Sequence, residues 1–167
     1  SLLSQTFKNF QIIISDNFSN DTTHQICQDY MKKDKRIRYF RQKKNIGIYK
    51  NYLFVLEKSN TKFFQWAAAD DLWHDTFLEK NIQFLEKNPS FVGSIGQVGL
   101  YNKISNDWTK IVEKSHTDNH IQDTMVQSIT GSLSDRFRTY LKLRQVSNIY
   151  AVYRTEILKE SSFVNEK

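Results

Sequence analysis

The 167-residue chain predicts an α/β fold, a mostly parallel sheet flanked by helices in a single domain over residues 1–167. Short strand-like segments recur at residues 10–15, 36–40 and 62–67. Segments with a helical stripe of apolar positions alternate with them, and polar turn-forming stretches separate the two kinds. Strand–helix–strand alternation of this sort builds βαβ units, and in such sheets ligands bind beyond the carboxyl ends of the strands.

The elements follow in order. "FQIIIS" is rich in isoleucine and reads as a buried strand. "DNFSNDTT" offers Ser19, Asn20 and Asp21 as helix caps. Thr23, Ile26, Cys27 and Tyr30 then recur at i, i+3, i+4 and i+7, the inward stripe of a helix. "RIRYFR" is the second strand and "NIG" a loop. Ile48, Tyr52, Leu53 and Leu56 mark the next helix. "KFFQWA" is the third strand and ends at two acids, Asp70 and Asp71. Leu78, Ile82 and Leu85 stripe a helix that must stop before Pro89. "FVGSIGQVGLYN" reads as one or two strands with glycine bends, and "DWTKIV" as their partner. Residues 123–143 predict a helix with Val126, Ile129, Leu133, Phe137 and Leu141 inward. "NIYAVYR" is a late strand and "TEILKES" opens a short helix.

Composition narrows the class. A hydrophobic fraction of 39% and an aromatic fraction of 14% suit a folded globule. No apolar run approaches a membrane span, and no signal-peptide pattern opens the chain. The single cysteine, Cys27, cannot form an internal disulfide, which fits a reducing cytoplasm. The net charge of +6 is concentrated in "MKKDKRIRYFRQKKN", residues 31–45, which carries Lys32, Lys33, Lys35, Arg36, Arg38, Arg41, Lys43 and Lys44. The plain reading of this run is solvated surface. The functional reading is a patch for phosphate, nucleic acid or anionic lipid.

Acids close two of the strands. Asp16 follows the first and is either a turn or cap residue or an acceptor for a nucleobase N–H or ribose hydroxyl. Asp70 and Asp71 follow the third, after an aromatic and alanine run. They suit a hard cation such as Mg²⁺ or Mn²⁺, which keeps waters and takes phosphate oxygens; the alternative is the N-cap of the next helix. His74 beside them reads as polar surface. His116 and His120 have i, i+4 spacing, but no third metal ligand accompanies them. Phosphate-loop and dinucleotide-binding glycine patterns are absent, as is any Ser-His-Asp arrangement.

Three spaced motifs resemble the family 2 glycosyltransferases, of the GT-A (Rossmann-like) fold. "SLLSQTFKNFQIIISDNFSNDTT" is similar to the family's Gln-Thr helix end, strand and Asp-rich turn. "NIGIYKN" is similar to its Asn-x-Gly followed by a helical Asn, here Asn45, Gly47 and Asn51. "FFQWAAADDLW" resembles the strand carrying its Asp-x-Asp motif, and "NIYAVYRTEIL" a later strand–helix segment. The resemblance implies sugar transfer from a nucleotide-sugar donor to a saccharide or lipid-linked acceptor, with inversion and with Mg²⁺ or Mn²⁺, in making a cell-surface polysaccharide. Asp16, Asn17, Asn45, Gly47, Asn51, Asp70 and Asp71 would line the donor site. Asp16 would meet the base or ribose, Asp70 would hold the metal, and Asp71 would support metal and donor.

The chain departs from the family pattern in places. Ala68 stands where the Asp-x-Asp motif has its first acid, and Asn17 where a second Asp is common. Members have a strand before the Gln-Thr helix, whereas this chain starts within that helix, at Ser1. The family's catalytic base is expected beyond Lys167, since Glu156, Glu160 and Glu166 lack its context. The resemblance therefore implies a domain incomplete at both ends. Two other readings of the basic run stand beside it. One is a non-catalytic module gripping single-stranded nucleic acid, disfavoured by the acids at two strand ends and by Tyr39 and Phe40 lying in a strand. The other is peripheral contact with an anionic membrane at its inner face.

Overall fold

The structure is a computed structural model that describes residues 1–96, 131–132 and 149–161. "DWTKIV", the second half of "FVGSIGQVGLYN", His116, His120 and Glu166 lie outside these residues, as does the helix expected at 123–143 apart from residues 131–132, which form a bend with Gly131 at φ +97° instead of helix. The described elements are β1 (Ile12–Asp16), α1 (Thr23–Lys33), β2 (Ile37–Arg41), α2 (Ile48–Glu57), β3 (Phe63–Phe64), α3 (Phe77–Lys87), β4 (Gly93–Ser94), β5 (Val152–Arg154) and α4 (Thr155–Glu160).

β1 and β2 pair in parallel, with Ile14 opposite Tyr39 and Asp16 opposite Arg41. Alternation along the strands then assigns their faces. Ser15 and Phe40 point to α2: the Ser15 hydroxyl donates to Asn51 Oδ1 at 2.6 Å, and Phe40 meets Phe54 edge-on. Tyr39 points the other way and meets His24 of α1. The two helices thus sandwich the strand pair. α1 lies mainly over β2, an edge strand among the described residues. The two described strands do not cover the whole helix stripe, and Ile26 and Tyr30, expected inward, are about half exposed.

The α/β class holds, but the described strands do not form one mostly parallel sheet. β3 belongs to a second sheet of order β3-β5-β4 and pairs antiparallel with β5, Phe63 opposite Arg154 and Phe64 opposite Tyr153. β4 also runs antiparallel to β5. The third strand is shorter than expected. After Phe64 the chain sends Trp66 into the core, where its indole N–H donates to the Tyr52 carbonyl, and residues 67–71 leave the sheet. Gly93 permits the β4–β5 approach, since a Cβ there would come within 2.8 Å of the Tyr153 ring.

Two apolar clusters support this sheet. Leu56, Phe64 and Trp66 join α2 to β3, with Leu158 of α4 against them. Leu78, Leu85 and Val152 join α3 to β5, with Phe7, Phe10 and Phe63 around them. Arg154 binds the sheet to the end of α3. Its guanidinium donates to the carbonyls of Leu85 (2.6 Å), Phe91 (2.9 Å) and Asn88 (3.2 Å), where helix-end carbonyls need donors and favour a cation.

Gln5 does the matching work at the start of α3. It is fully buried, accepts from the Leu78 N–H at 2.9 Å and donates to the His74 carbonyl at 2.6 Å. A side chain distant in sequence thereby caps the helix that Thr76 leaves without a side-chain cap. Replacing it by the similarly sized Leu keeps the volume and strands both backbone groups. Gln5→Leu is expected to cost about 1–3 kcal/mol in urea unfolding. A loss within about 0.5 kcal/mol, the range of an ordinary surface change, would show that the cap is not needed.

Candidate donor-binding site

Asp16 ends β1 with its side chain fully buried. Oδ1 accepts from the Ser19 N–H at 2.7 Å, Oδ2 from the Tyr39 hydroxyl at 2.6 Å, and Arg41 Nε lies 3.6 Å from Oδ2. Burial alone pushes this carboxyl up, but the bonds from Tyr39 and Ser19 and the Arg41 charge outweigh it and hold it below its usual range. Tyr39 moves the opposite way, raised by burial and by the carboxylate it serves. Because its one proton goes to Asp16, its 3.0 Å contact with His24 Nδ1 requires a proton on that nitrogen.

The neighbouring loops are tied together above this carboxylate. Asn17 Oδ1 accepts from the Ile46 N–H at 2.8 Å, and its amide donates to Asn45 Oδ1 at 3.0 Å. The same Asn45 oxygen accepts from the Gly47 N–H at 2.8 Å. Gly47 has φ +85°, which a side chain would strain, and opens α2. One turn in, Asn51 accepts from the Ser15 hydroxyl and donates to the Ser15 carbonyl at 3.1 Å, while Gln42 donates to the Ser15 hydroxyl. Asp16, Asn17, Asn45, Gly47 and Asn51 therefore meet at the carboxyl ends of β1 and β2, although they span thirty-odd residues. Tyr39, Arg41, Ser15 and Gln42 were missed as members of this network. The period-two register of "RIRYFR" against "QIIISD" carries the signal that could have found them.

Asp70 and Asp71 are brought together only with each other and the turn around them. Both are exposed, in a turn where the Asp71 N–H donates to the Ala68 carbonyl at 3.4 Å, and no described contact joins them to the Asp16 network. Partial desolvation and the Asp70 charge push the Asp71 carboxyl up, although the residue as a whole is exposed. Tyr150 comes near from the far end of the chain. Its ring lies 6.2 Å from that of Trp73, and burial with a hydrogen bond to Tyr52 pushes its hydroxyl up to about 12. Among the described residues no three His, Cys, Asp or Glu side chains gather as a metal cage. Two adjacent carboxylates of one sign still suit a cation that keeps its waters and shares phosphate oxygens. His74 faces Asp75 at 2.9 Å and Thr76 at 3.0 Å, a local surface contact.

The Asp16 account has a pH signature. With a folded value below the ordinary 3.8, this carboxylate stabilises the fold above the unfolded value and loses that effect as pH falls through the folded one. Tyr39→Phe removes a donor to a charged group and should cost about 1.5–3 kcal/mol near neutral pH. The difference from the parent should shrink as pH falls below the ordinary 3.8 in denaturant titrations. A difference independent of pH would show that the hydroxyl does not serve the charged carboxylate.

Comparison with known proteins bears on this geometry. The model for Glycosyl transferase family 2 matches residues 1–161. A glycosyltransferase of Rickettsia felis, uncharacterised, is 36% identical over 117 residues, 70% of this chain and 18% of the relative. One of Haemophilus influenzae, also uncharacterised, is 33% identical over 88 residues, 53% of this chain and 27% of the relative. The Bacillus subtilis glycosyltransferase TuaG, named for teichuronic acid biosynthesis, is 26% identical over 136 residues, 80% of this chain and 52% of the relative. This chain thus spans about half or less of the length of these relatives. With the family pattern matched along nearly its whole length, the chain belongs to glycosyl transferase family 2.

Proposed function

We propose that this chain carries the donor half of a glycosyltransferase that moves a sugar from a nucleotide to an acceptor hydroxyl, with inversion and with a divalent cation, in building a cell-surface polysaccharide. The observation that carries the reading is the locked pair of loops at the carboxyl ends of β1 and β2, in a chain matched to the family over residues 1–161. In an α/β sheet that edge is where a nucleotide is expected. The name of the Bacillus subtilis relative favours an envelope polysaccharide as product.

Roles follow from exposure and bonding. Asn17, Asn45 and Gly47 hold the two loops in register and give the nucleotide a surface that needs no ordering when it binds. Asn51 fixes the end of β1 through Ser15. Asp16 anchors Ser19, Tyr39 and Arg41 from behind, and its own contact with ribose or base requires residues 17–19 to open. Asp70 and Asp71 would hold Mg²⁺ or Mn²⁺, which supplies countercharge for the leaving diphosphate. In the transfer the acceptor oxygen attacks the anomeric carbon, the bond to the diphosphate breaks, and the acceptor proton passes to a general base.

The nucleic-acid alternative has less support. Stacking on bases needs free aromatic faces. Tyr39 is engaged by Asp16 and His24, while Phe40 packs against Phe54 with Arg38 and Lys58 over its ring.

Calorimetry with uridine, guanosine and thymidine diphosphate sugars tests the donor reading. The double variant Asp70→Asn/Asp71→Asn should lose the Mn²⁺-dependent part of donor binding. Its stability should stay within about 0.5 kcal/mol of the parent, as for other exposed sites. Unchanged Mn²⁺-dependent binding in the double variant would remove the acids from the site.

A further inference from the structure

The β2–α2 loop combines charge and exposed apolar surface in a way donor binding does not need. From Lys35 to Leu56 the chain has seven cations and no acid. Arg36 is paired with Asp34 at 2.7 Å, and Arg41 is engaged by Asp16 and the Ser19 carbonyl. Lys43, Lys44 and Lys50 are exposed and have no acidic partner among the described residues.

Ile48 stands among these lysines as the first residue of α2 and is 78% exposed, the most exposed large apolar residue described. Its place in the helical stripe predicts burial, yet the Gly47 turn leaves it in solvent. On the adjoining β1–α1 loop Phe18 is 52% exposed at φ +70°, a conformation rare for a bulky residue, with Arg41 over its ring. The Asn17–Asn45 bond holds the two loops side by side, so Phe18 and Ile48 belong to one rim. Beside it opens a cleft of about 590 Å³ with Phe40 and Phe54 in its wall and Arg41, Lys43 and Lys44 at its edge.

We propose that this rim docks on an anionic lipid bilayer, with Lys43, Lys44 and Lys50 against phosphate headgroups and Ile48 and Phe18 entering the boundary between headgroups and acyl chains. Free cations around exposed apolar side chains are what such an interface selects. Charge alone would equally fit nucleic acid. An isoleucine held in water gains nothing from a sugar-phosphate backbone, and the aromatic rings of β2 are already occupied. The inference rests on the glycosyltransferase reading only for its consequence: Asn45 and Gly47 share the docking loop, so a lipid-borne acceptor would meet the donor edge at the membrane.

Vesicle sedimentation without any nucleotide sugar tests the docking itself. The whole 167-residue chain is mixed with vesicles of phosphatidylcholine alone, and of phosphatidylcholine with phosphatidylglycerol. Binding is expected only to the anionic vesicles and should fall as salt rises. Lys43→Gln/Lys44→Gln should lower the partition about 25-fold, at about five-fold per cation. Ile48→Ser changes no charge and should still weaken binding several-fold. Circular dichroism confirms that the variants are folded. Equal binding to both vesicle types, or no binding to anionic vesicles at low salt, would overturn the proposal. So would a single-stranded oligonucleotide binding more tightly than vesicles, with Ile48→Ser without effect on either. Each of these failures leaves donor binding, measured separately by calorimetry, untouched.

Discussion

A buried carboxylate at the end of a strand constrains this molecule more than any other feature. Removing a charge from water costs several kcal/mol unless partners replace the lost hydration. Asp16 recruits those partners from three places: the Ser19 backbone after β1, Tyr39 within β2 and Arg41 at the end of β2. Serving one carboxylate fixes the register of β1 against β2 at the end where a ligand would bind. It also sets the direction in which the chain leaves each strand, because Arg41 reaches on to the Ser19 carbonyl.

Everything at that edge inherits this order. With the two strand ends held, the loops that follow lie close enough for Asn17 to bridge to Asn45 and Ile46, and for Gly47 to start α2 beneath them. Asn51 and Gln42 close the network on Ser15, one residue before the carboxylate. On the proposed reading such a network would bind by complementarity already present, so a nucleotide would spend little of its interaction energy on ordering protein. The acid pair is held differently, in an exposed turn between Trp66, packed in one core cluster, and α3, which Gln5 caps.

Much of this was legible in the residues and some was not. β1, α1, β2, α2 and α3 were visible because each is long enough to show its period. The strand carrying the acids was misjudged: "KFFQWA" has strand composition, but only Phe63 and Phe64 pair, and their partner is Arg154 and Tyr153, some ninety residues on. Local pattern cannot choose between a parallel neighbour close in sequence and an antiparallel one far away. Asp16 was singled out by its place at the end of the first strand, and Asn17, Asn45 and Asn51 by motif resemblance. Their partners Tyr39 and Arg41 were hidden because a tyrosine and an arginine in a basic strand look like surface. Ile48 was assigned inward by helical period, which cannot register a helix whose first turn projects past the sheet it covers.

The central claim is that the nucleotide lies on the joined β1 and β2 loops while the cation lies at Asp70 and Asp71. Backbone NMR of the labelled chain, titrated with nucleoside diphosphates and then with trace Mn²⁺, tests both halves in one sample. The account predicts shifts at the amides of Asn17, Asn45, Ile46 and Gly47 on adding nucleotide, and paramagnetic broadening centred on Asp70 and Asp71 on adding Mn²⁺. Nucleotide shifts that spare residues 17 and 45–47, or broadening centred on other carboxylates, would contradict it.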